Sequence, residues 1–359
     1  MRATAARPTR TLLAESTHAY RLRWKRRRLL LRFLRKRGQL KTVADRTAAI
    51  RTGAVLVFCC LRNEAERLPY FLDYYRKLGA AHFLFVDNDS NDGSAAILQD
   101  AADVSVWRTS APYRQARFGM DWLGWLQMRY GHGHWCLTVD ADELFLFPGV
   151  TDLALTGLTQ SLEKQNRGSF GAVMLDMYPA GPVGDGAYAA GDDPLSVLPY
   201  FDPNGYSATW HPTYDNLWIQ GGPRARMFFA DVPAHAPTLN KVPLVKWNRR
   251  FSYVSSTHQM LPRRLHDVFG DDRRAVSTGV LLHTKFLPSI VAKSQEELLR
   301  KQHFENCANY ANYYQSLIEN PVLWHPGSQK YEGWQQLVRL GLMSEAADGI
   351  TGKPDERSG

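Results

Sequence analysis

The chain has no run of about 18 consecutive apolar residues, the length a helix needs to cross a bilayer. Its early apolar run, residues 29–31, is too short for the core of a secretory signal. Cysteine is also scarce. Cys59, Cys60, Cys136 and Cys307 have no metal-ligand spacing, and the first three sit in apolar, strand-like runs where a thiol serves as a small core residue. These absences argue against a structural metal module and predict a reducing, cytoplasmic setting. Acid is missing from one region above all: residues 1–53 hold 16 Lys/Arg against only Glu15 and Asp45. The overall charge of +9 therefore divides into a basic arm of +14 and a remainder of −5. Internal repeats and low-complexity segments are absent too. The 359 residues, 44% hydrophobic, suffice for one large folded domain or two.

Within the arm, the segment Arg21-Leu-Arg-Trp-Lys-Arg-Arg-Arg-Leu-Leu-Leu-Arg-Phe-Leu-Arg-Lys-Arg37 lacks Gly and Pro and mixes Leu22, Leu29, Leu30, Phe33 and Leu34 with cations. A basic helix of this kind suits an anionic membrane surface, here through residues 21–41. The plainer alternative is a helix packed on the body. Nucleic acid is the least expected partner, since no nucleic-acid-binding module follows the arm.

From residue 54 the pattern alternates between strand and helix. Residues 54–61 are a continuous apolar run, as in a parallel strand covered on both faces. Leu68, Phe71, Leu72, Tyr75 and Leu78 then share a helical face, and Gly79 stands where that helix would end. Strands are expected at 82–86, 104–108, 134–139 and 170–176, and helices at 95–101, 118–130 and 289–304. This alternation predicts an α/β fold, with an open, mostly parallel, Rossmann-like sheet flanked by helices. The expected organisation is a basic arm (1–53), a single domain (54–340) with a nucleotide-binding half (54–177) and an acceptor half (178–340), and a flexible tail (341–359). Residues 178–245 crowd Pro and Gly together and read as a binding loop. Tyr188, Tyr200, Tyr206, Trp210, His211, Tyr214 and Trp218 within it are of the kind that stacks on sugar rings, or else pack against the sheet.

Two of the strands stop at carboxylates, Phe83-Leu-Phe-Val-Asp-Asn-Asp-Ser-Asn-Asp92 and Trp135-Cys-Leu-Thr-Val-Asp-Ala-Asp-Glu143. In open sheets, ligands bind at the carboxyl ends of the strands. Asp140 and Asp142 form an Asp-x-Asp motif whose two carboxylates can face one Mg²⁺ or Mn²⁺ bridging a diphosphate. Asp87 and Asp89 can accept hydrogen bonds from a base or ribose, and Asp92 fits an Asx-turn. Gly221-Gly-Pro-Arg-Ala-Arg226 offers Arg224 and Arg226 to phosphate, or else is a surface turn.

Taken in order, Arg62-Asn-Glu-Ala-Glu-Arg-Leu-Pro-Tyr-Phe-Leu, Phe-Val-Asp-Asn-Asp-Ser-Asn-Asp-Gly-Ser and Asp-Ala-Asp-Glu resemble the family 2-type glycosyltransferases, specifically the bacterial branch with Arg-Asn-Glu and Asp-Ala-Asp-Glu motifs. The resemblance covers about residues 54–340. It implies a GT-A fold, a nucleotide-diphosphate sugar donor, a divalent cation and a glycan or lipid-linked acceptor. It implies Arg62, Asn63, Glu64, Asp87, Asp89 and Asp140 at the nucleotide, and Asp140 and Asp142 at the metal. His283 is the candidate third metal ligand and Lys285 a diphosphate contact. The arm would then hold the enzyme at the inner face of the cytoplasmic membrane. No Gln-x-x-Arg-Trp occurs, which argues against processive polymer synthesis, and no Glu-Asp pair identifies the general base. Asp176, Asp215 and His258 are the candidates for that role. Two other classes fit parts of the pattern. A nucleotidyltransferase would carry a glycine-rich phosphate loop where Arg62-Asn63-Glu64 stands, and a noncatalytic protein would use the arm alone.

Overall fold

A computed structural model describes residues 9–269, 276–300 and 307–346. Residues 301–304 of the expected helix and 347–359 of the expected tail lie outside the described residues. Nine strands form the main sheet: β1 Lys41–Ala44, β2 Val55–Leu61, β3 His82–Asp87, β4 Val104–Arg108, β5 Trp135–Thr138, β6 Glu143–Leu146, β7 Ser169–Asp176, β8 Asn240–Lys246 and β9 Gly279–His283. Their order across the sheet is β1-β4-β3-β2-β5-β8-β7-β9-β6. β4, β3, β2 and β5 are mutually parallel, and β7 and β9 pair in parallel. β1, β8 and β6 run against them. This is the open, mostly parallel, Rossmann-like arrangement expected from the strand–helix alternation.

β2 shows why the sheet is covered on both faces. Val55, Val57, Cys59 and Leu61 point into a core shared with helices α2 (Leu68–Lys77), α3 (Ser94–Asp100) and α5 (Leu155–Lys164). Leu56, Phe58 and Cys60 point the other way, into a core shared with α4 (Met120–Tyr130). Alternation along an all-apolar strand therefore fills two layers at once. Gly79 ends α2 at φ +96°, a conformation that a side chain disfavours.

The basic arm is built into this body. Helix α1 (Leu12–Lys36) buries Leu22, Leu29 and Phe33 against α4 and a hairpin made of Ser252–Ser255 and Gln259–Leu261. Arg32 binds the fully buried Asp121 at 2.7 Å, and β1 adds an antiparallel strand to the sheet edge. Phe33 lies on Gly124 so closely that a β-carbon there would sit 2.5 Å from the ring. Gly124→Ala should therefore cost about 1–3 kcal/mol through overpacking. Thermal denaturation should register the loss, and limited trypsinolysis should show earlier cleavage within α1.

His266 makes this region acid-sensitive. Its Nδ1–H donates to the Tyr214 carbonyl and its Nε2 accepts the Met260 N–H, so the buried ring is held neutral. Burial pushes its pKa from 6.5 down to about 4. An unfolded chain takes up this proton below pH 6.5, whereas the folded one resists until about pH 4. Stability is thus fully present above pH 6.5 and falls between there and pH 4, by at most about 3 kcal/mol from this group. Melting temperatures across that window should fall less steeply for His266→Gln than for the parent.

The region 178–245 is more ordered than its Pro and Gly content predicts. It holds a hairpin (Tyr206–His211 with Asn216–Gly221), helix α6 (Gly222–Phe228) and β8, which enters the sheet between β5 and β7. Pro243 lies inside β8, where the pairing with β7 shifts register between Lys241 and Leu244. That irregularity accommodates a residue lacking an N–H.

Candidate functional site

The strand register builds the site. His283 at the end of β9 lies opposite Asp176 on β7 and opposite Glu143 on β6. His283 Nδ1 donates to Asp176 at 2.6 Å, and its Nε2 stands 3.2 Å from Asp142 Oδ2. Thr284 donates from its N–H and its hydroxyl to the Asp142 carbonyl, at 2.7 and 3.0 Å, fixing the acidic turn to the end of β9. Arg224 closes the far side, with Nε 2.8 Å from Asp176.

Charges tune each other here. Burial would raise the Asp176 carboxyl, but Arg224 and His283 override it and hold the value at about 2. Burial likewise disfavours charge on Asp142, and His283, Arg67 and Lys285 reverse this, leaving its pKa well below the usual range. Burial lowers the His283 pKa, yet Asp142 and Asp176 outweigh it and raise it overall. The carboxylates thus favour positive charge at Nε2, supplied by a proton or by a bound cation.

Asp142, His283 and Arg224 line a cleft of about 290 Å³, with Asp176 behind them outside the lining. The first motif forms one wall: Arg62, Asn63 and Glu64 line it, and Asn63 adopts φ +54° at the turn after β2. Helix α7 (Ile290–Arg300) lies across them. Lys293 donates to Glu64 at 2.8 Å, and Arg62 and Asn63 both reach Glu296 at 3.4 Å. Lys285 lines the cleft with its ammonium 5.3 Å from the Tyr313 ring centre, and burial pushes its pKa down to about 8.

Several expected residues are placed otherwise. Asp140 lines the cleft together with Asp142, and its carboxylate is also bound by Lys241 at 3.2 Å. β5 ends at Thr138, so the two aspartates stand in the turn before β6 and strand alternation does not set their direction. Asp87 is buried at the end of β3 and accepts the Ser90 N–H; its neighbour Asn88 lines the cleft instead. Asp89 is half exposed and paired with Arg108, outside the lining. Asp92 accepts from Ser94 and the Ala65 N–H, as a turn residue does.

Arg224 and Arg226 lie on α6, where residues two apart diverge by about 200°. Only Arg224 reaches the cleft, while Arg226 binds Asp202 and the Leu323 carbonyl. Asp215 lies away from the cleft, held by Arg10 and Arg263, and is no general base for it. Asp176 is already committed to His283 and Arg224. His258 does line the cleft. Its Nδ1–H donates to the Asn240 carbonyl, leaving Nε2 as an acceptor, and burial pushes its pKa down to about 3. Tyr188, Tyr200, Tyr206, Trp210, His211, Tyr214 and Trp218 do not line the cleft, whereas Tyr113 and Tyr314 do.

Lys241 and Arg67 went unassigned from the sequence. Lys241 on β8 is buried, with its ammonium bound to both Glu143 and Asp140. Arg67 is buried too, binding Glu64 at 2.8 Å and the Thr284 carbonyl at 3.2 Å, so it ties the first motif to the end of β9. The available signals were a lysine inside an apolar strand-like run and a second arginine within the first motif.

Among the described residues no three His, Cys, Asp or Glu side chains are grouped to hold a metal ion. Asp142 and His283 nonetheless form an oxygen–nitrogen donor pair compatible with Mn²⁺. The Nδ1 bond to Asp176 leaves Nε2 facing Asp142, as in carboxylate–histidine–metal arrangements. A hard cation at such a pair commonly completes its shell with substrate phosphate and water.

No family model and no curated protein matches this chain. Solved structures that match include a Bacillus anthracis protein provisionally assigned as a glucose-1-phosphate thymidylyltransferase, in complex with sucrose. It is 11% identical, with 80% of this chain and 94% of that chain covered, at a TM-score of 0.27.

Proposed function

We propose that this cleft binds a nucleotide-diphosphate sugar with a divalent cation, Mn²⁺ or Mg²⁺, and transfers the sugar to a hydroxyl of a glycan or lipid-linked acceptor, as in GT-A glycosyltransferases. One observation carries this reading. Asp142 and His283, from distant parts of the chain, meet at 3.2 Å at the strand ends, with Asp176 keying the imidazole and Arg224 and Lys285 beside them. An acid–imidazole pair next to a guanidinium and an ammonium suits a cation-bound diphosphate.

Asp142 and His283 would hold the cation, which supplies charge neutralisation for the departing diphosphate. Arg224 and Lys285 add positive charge near the same group. Arg62, Asn63 and Glu64 line the wall where the nucleoside would lie. In the transfer, an acceptor oxygen bonds to the anomeric carbon, the carbon–phosphate-oxygen bond breaks, and its electron pair leaves with the nucleoside diphosphate. The hydroxyl proton passes to a base. Of the three sequence candidates, His258 alone keeps an acceptor nitrogen in the cleft, although a pKa of about 3 makes it a weak one.

A thermal-shift series with uridine, guanosine, cytidine and thymidine diphosphates, each with and without Mn²⁺, tests the reading. Stabilisation that needs nucleotide and metal together is expected. Slow release of free sugar from one nucleotide sugar in the absence of acceptor should accompany it. No stabilisation by any nucleotide would overturn it, and pyrophosphate formation from a sugar phosphate and a nucleoside triphosphate would replace it with nucleotidyl transfer.

A further inference from the structure

Helix α1 is apolar on two opposite sides. Leu22, Leu29 and Phe33 face the body and are buried. Leu13, Tyr20, Trp24 and Leu31 are 79%, 57%, 44% and 44% exposed. Their spacing of seven, four and seven residues keeps them within about 40° on a helix turning 100° per residue, about 180° from the buried trio. Arg21, Arg23, Arg27, Arg28 and Arg35, all exposed, flank this stripe on both sides. The helix contains one acid, Glu15, and it lies on the body side, bound by Arg10 and Arg263.

We propose that α1 lies flat on an anionic bilayer, with Leu13, Tyr20, Trp24 and Leu31 at headgroup depth and the flanking arginines on lipid phosphates. Packing on the body uses only one of the helix's two apolar sides, so attachment to the protein leaves the outer stripe unexplained. Tyr and Trp prefer the interface between water and hydrocarbon, and arginine stems cover apolar surface while their heads stay hydrated. The arrangement suits lipid better than the alternatives. A polynucleotide would use the arginines and leave the leucines without a role. A second copy docking stripe to stripe would set rows of arginines against one another.

The inference does not depend on the chemistry assigned to the cleft, but the geometry links the two. The hairpin whose Val254 and Leu261 pack on α1 also carries Ser256 and His258 into the cleft lining. The hairpin thus joins the membrane-facing helix to the His258 wall of the cleft.

Vesicle cosedimentation of the full chain tests the proposal, comparing phosphatidylcholine alone with mixtures that include phosphatidylglycerol. Binding to the anionic vesicles should be at least about tenfold stronger and should weaken as salt is raised. Trp24→Ser with Leu31→Ser, and separately Leu13→Ser with Tyr20→Ser, should each reduce binding about tenfold at unchanged melting temperature, because the buried trio is untouched. Arg27→Gln with Arg28→Gln and Arg35→Gln should remove the preference for anionic lipid. Absence of vesicle binding at low salt would overturn the proposal. So would full retention of binding by both serine pairs, which would leave charge alone, or a wild-type dimer in sedimentation equilibrium that the same pairs dissolve.

Discussion

Asp142→Ala should abolish the metal-dependent stabilisation by nucleoside diphosphates and lower slow hydrolysis of a nucleotide sugar by about 10³-fold, the scale of losing a principal electrostatic contact at a reacting group. His283→Ala should do the same, since the two side chains form one donor pair 3.2 Å apart. Asp176→Asn separates two roles for its carboxylate. If Asp176 positions His283, metal affinity should fall about 10–100-fold, with the loss largely recovered at high Mn²⁺. If it were the proton acceptor, turnover would fall at every Mn²⁺ concentration while metal affinity held. Its short bond to His283 and its ion pair with Arg224 favour the first outcome. Unchanged nucleotide stabilisation in Asp142→Ala would remove the basis of the transferase reading.

What the sequence conveyed, and what it hid, follows from how local each signal is. β2, β3 and β5 were legible because each is a mainly apolar run followed by polar residues, a pattern set within a few positions. The joining of Asp142 to His283 had a local trace as well, since His283 closes β9 and Asp142 stands in the turn that follows β5. Pairing between distant segments left no such trace. Asp215 looks like an acid in an aromatic loop, and only the folded arm reveals Arg10 as its partner. β8 was hidden by Pro243 and by the prolines Pro233 and Pro237 that precede it, and Lys241 was hidden with it. That Asp140 and Asp142 stand in a turn and not on the strand itself depended on where β5 stops, a boundary that shifts by a residue or two without changing the hydrophobic pattern.

Lys241→Met should be among the most destabilising single changes in the chain, at about 3–5 kcal/mol. The ammonium is buried between Glu143, itself fully buried, and Asp140. Burial and its carboxylate neighbours already push the Glu143 pKa upward, with Lys241 as the opposing influence. Without the ammonium, Glu143 must either keep an uncompensated charge or take up a proton, and both cost stability near neutral pH. The loss should therefore shrink as pH falls, because protonation removes the stranded charge. Lys241→Met with Glu143→Gln should recover most of it, since the double change deletes both charges of the pair and leaves Asp140 half exposed to water. Urea denaturation of the parent, both single variants and the double variant gives the coupling energy directly. A single-variant loss below about 1 kcal/mol, or a double variant no better than Lys241→Met alone, would mean that the ammonium does not neutralise Glu143. The same cycle bears on the cleft. Asp140 is engaged by a resident cation of the protein, so freeing it should strengthen Mn²⁺ binding in the double variant, in which the fold is preserved and the Lys241 ammonium that competes for that carboxylate is gone.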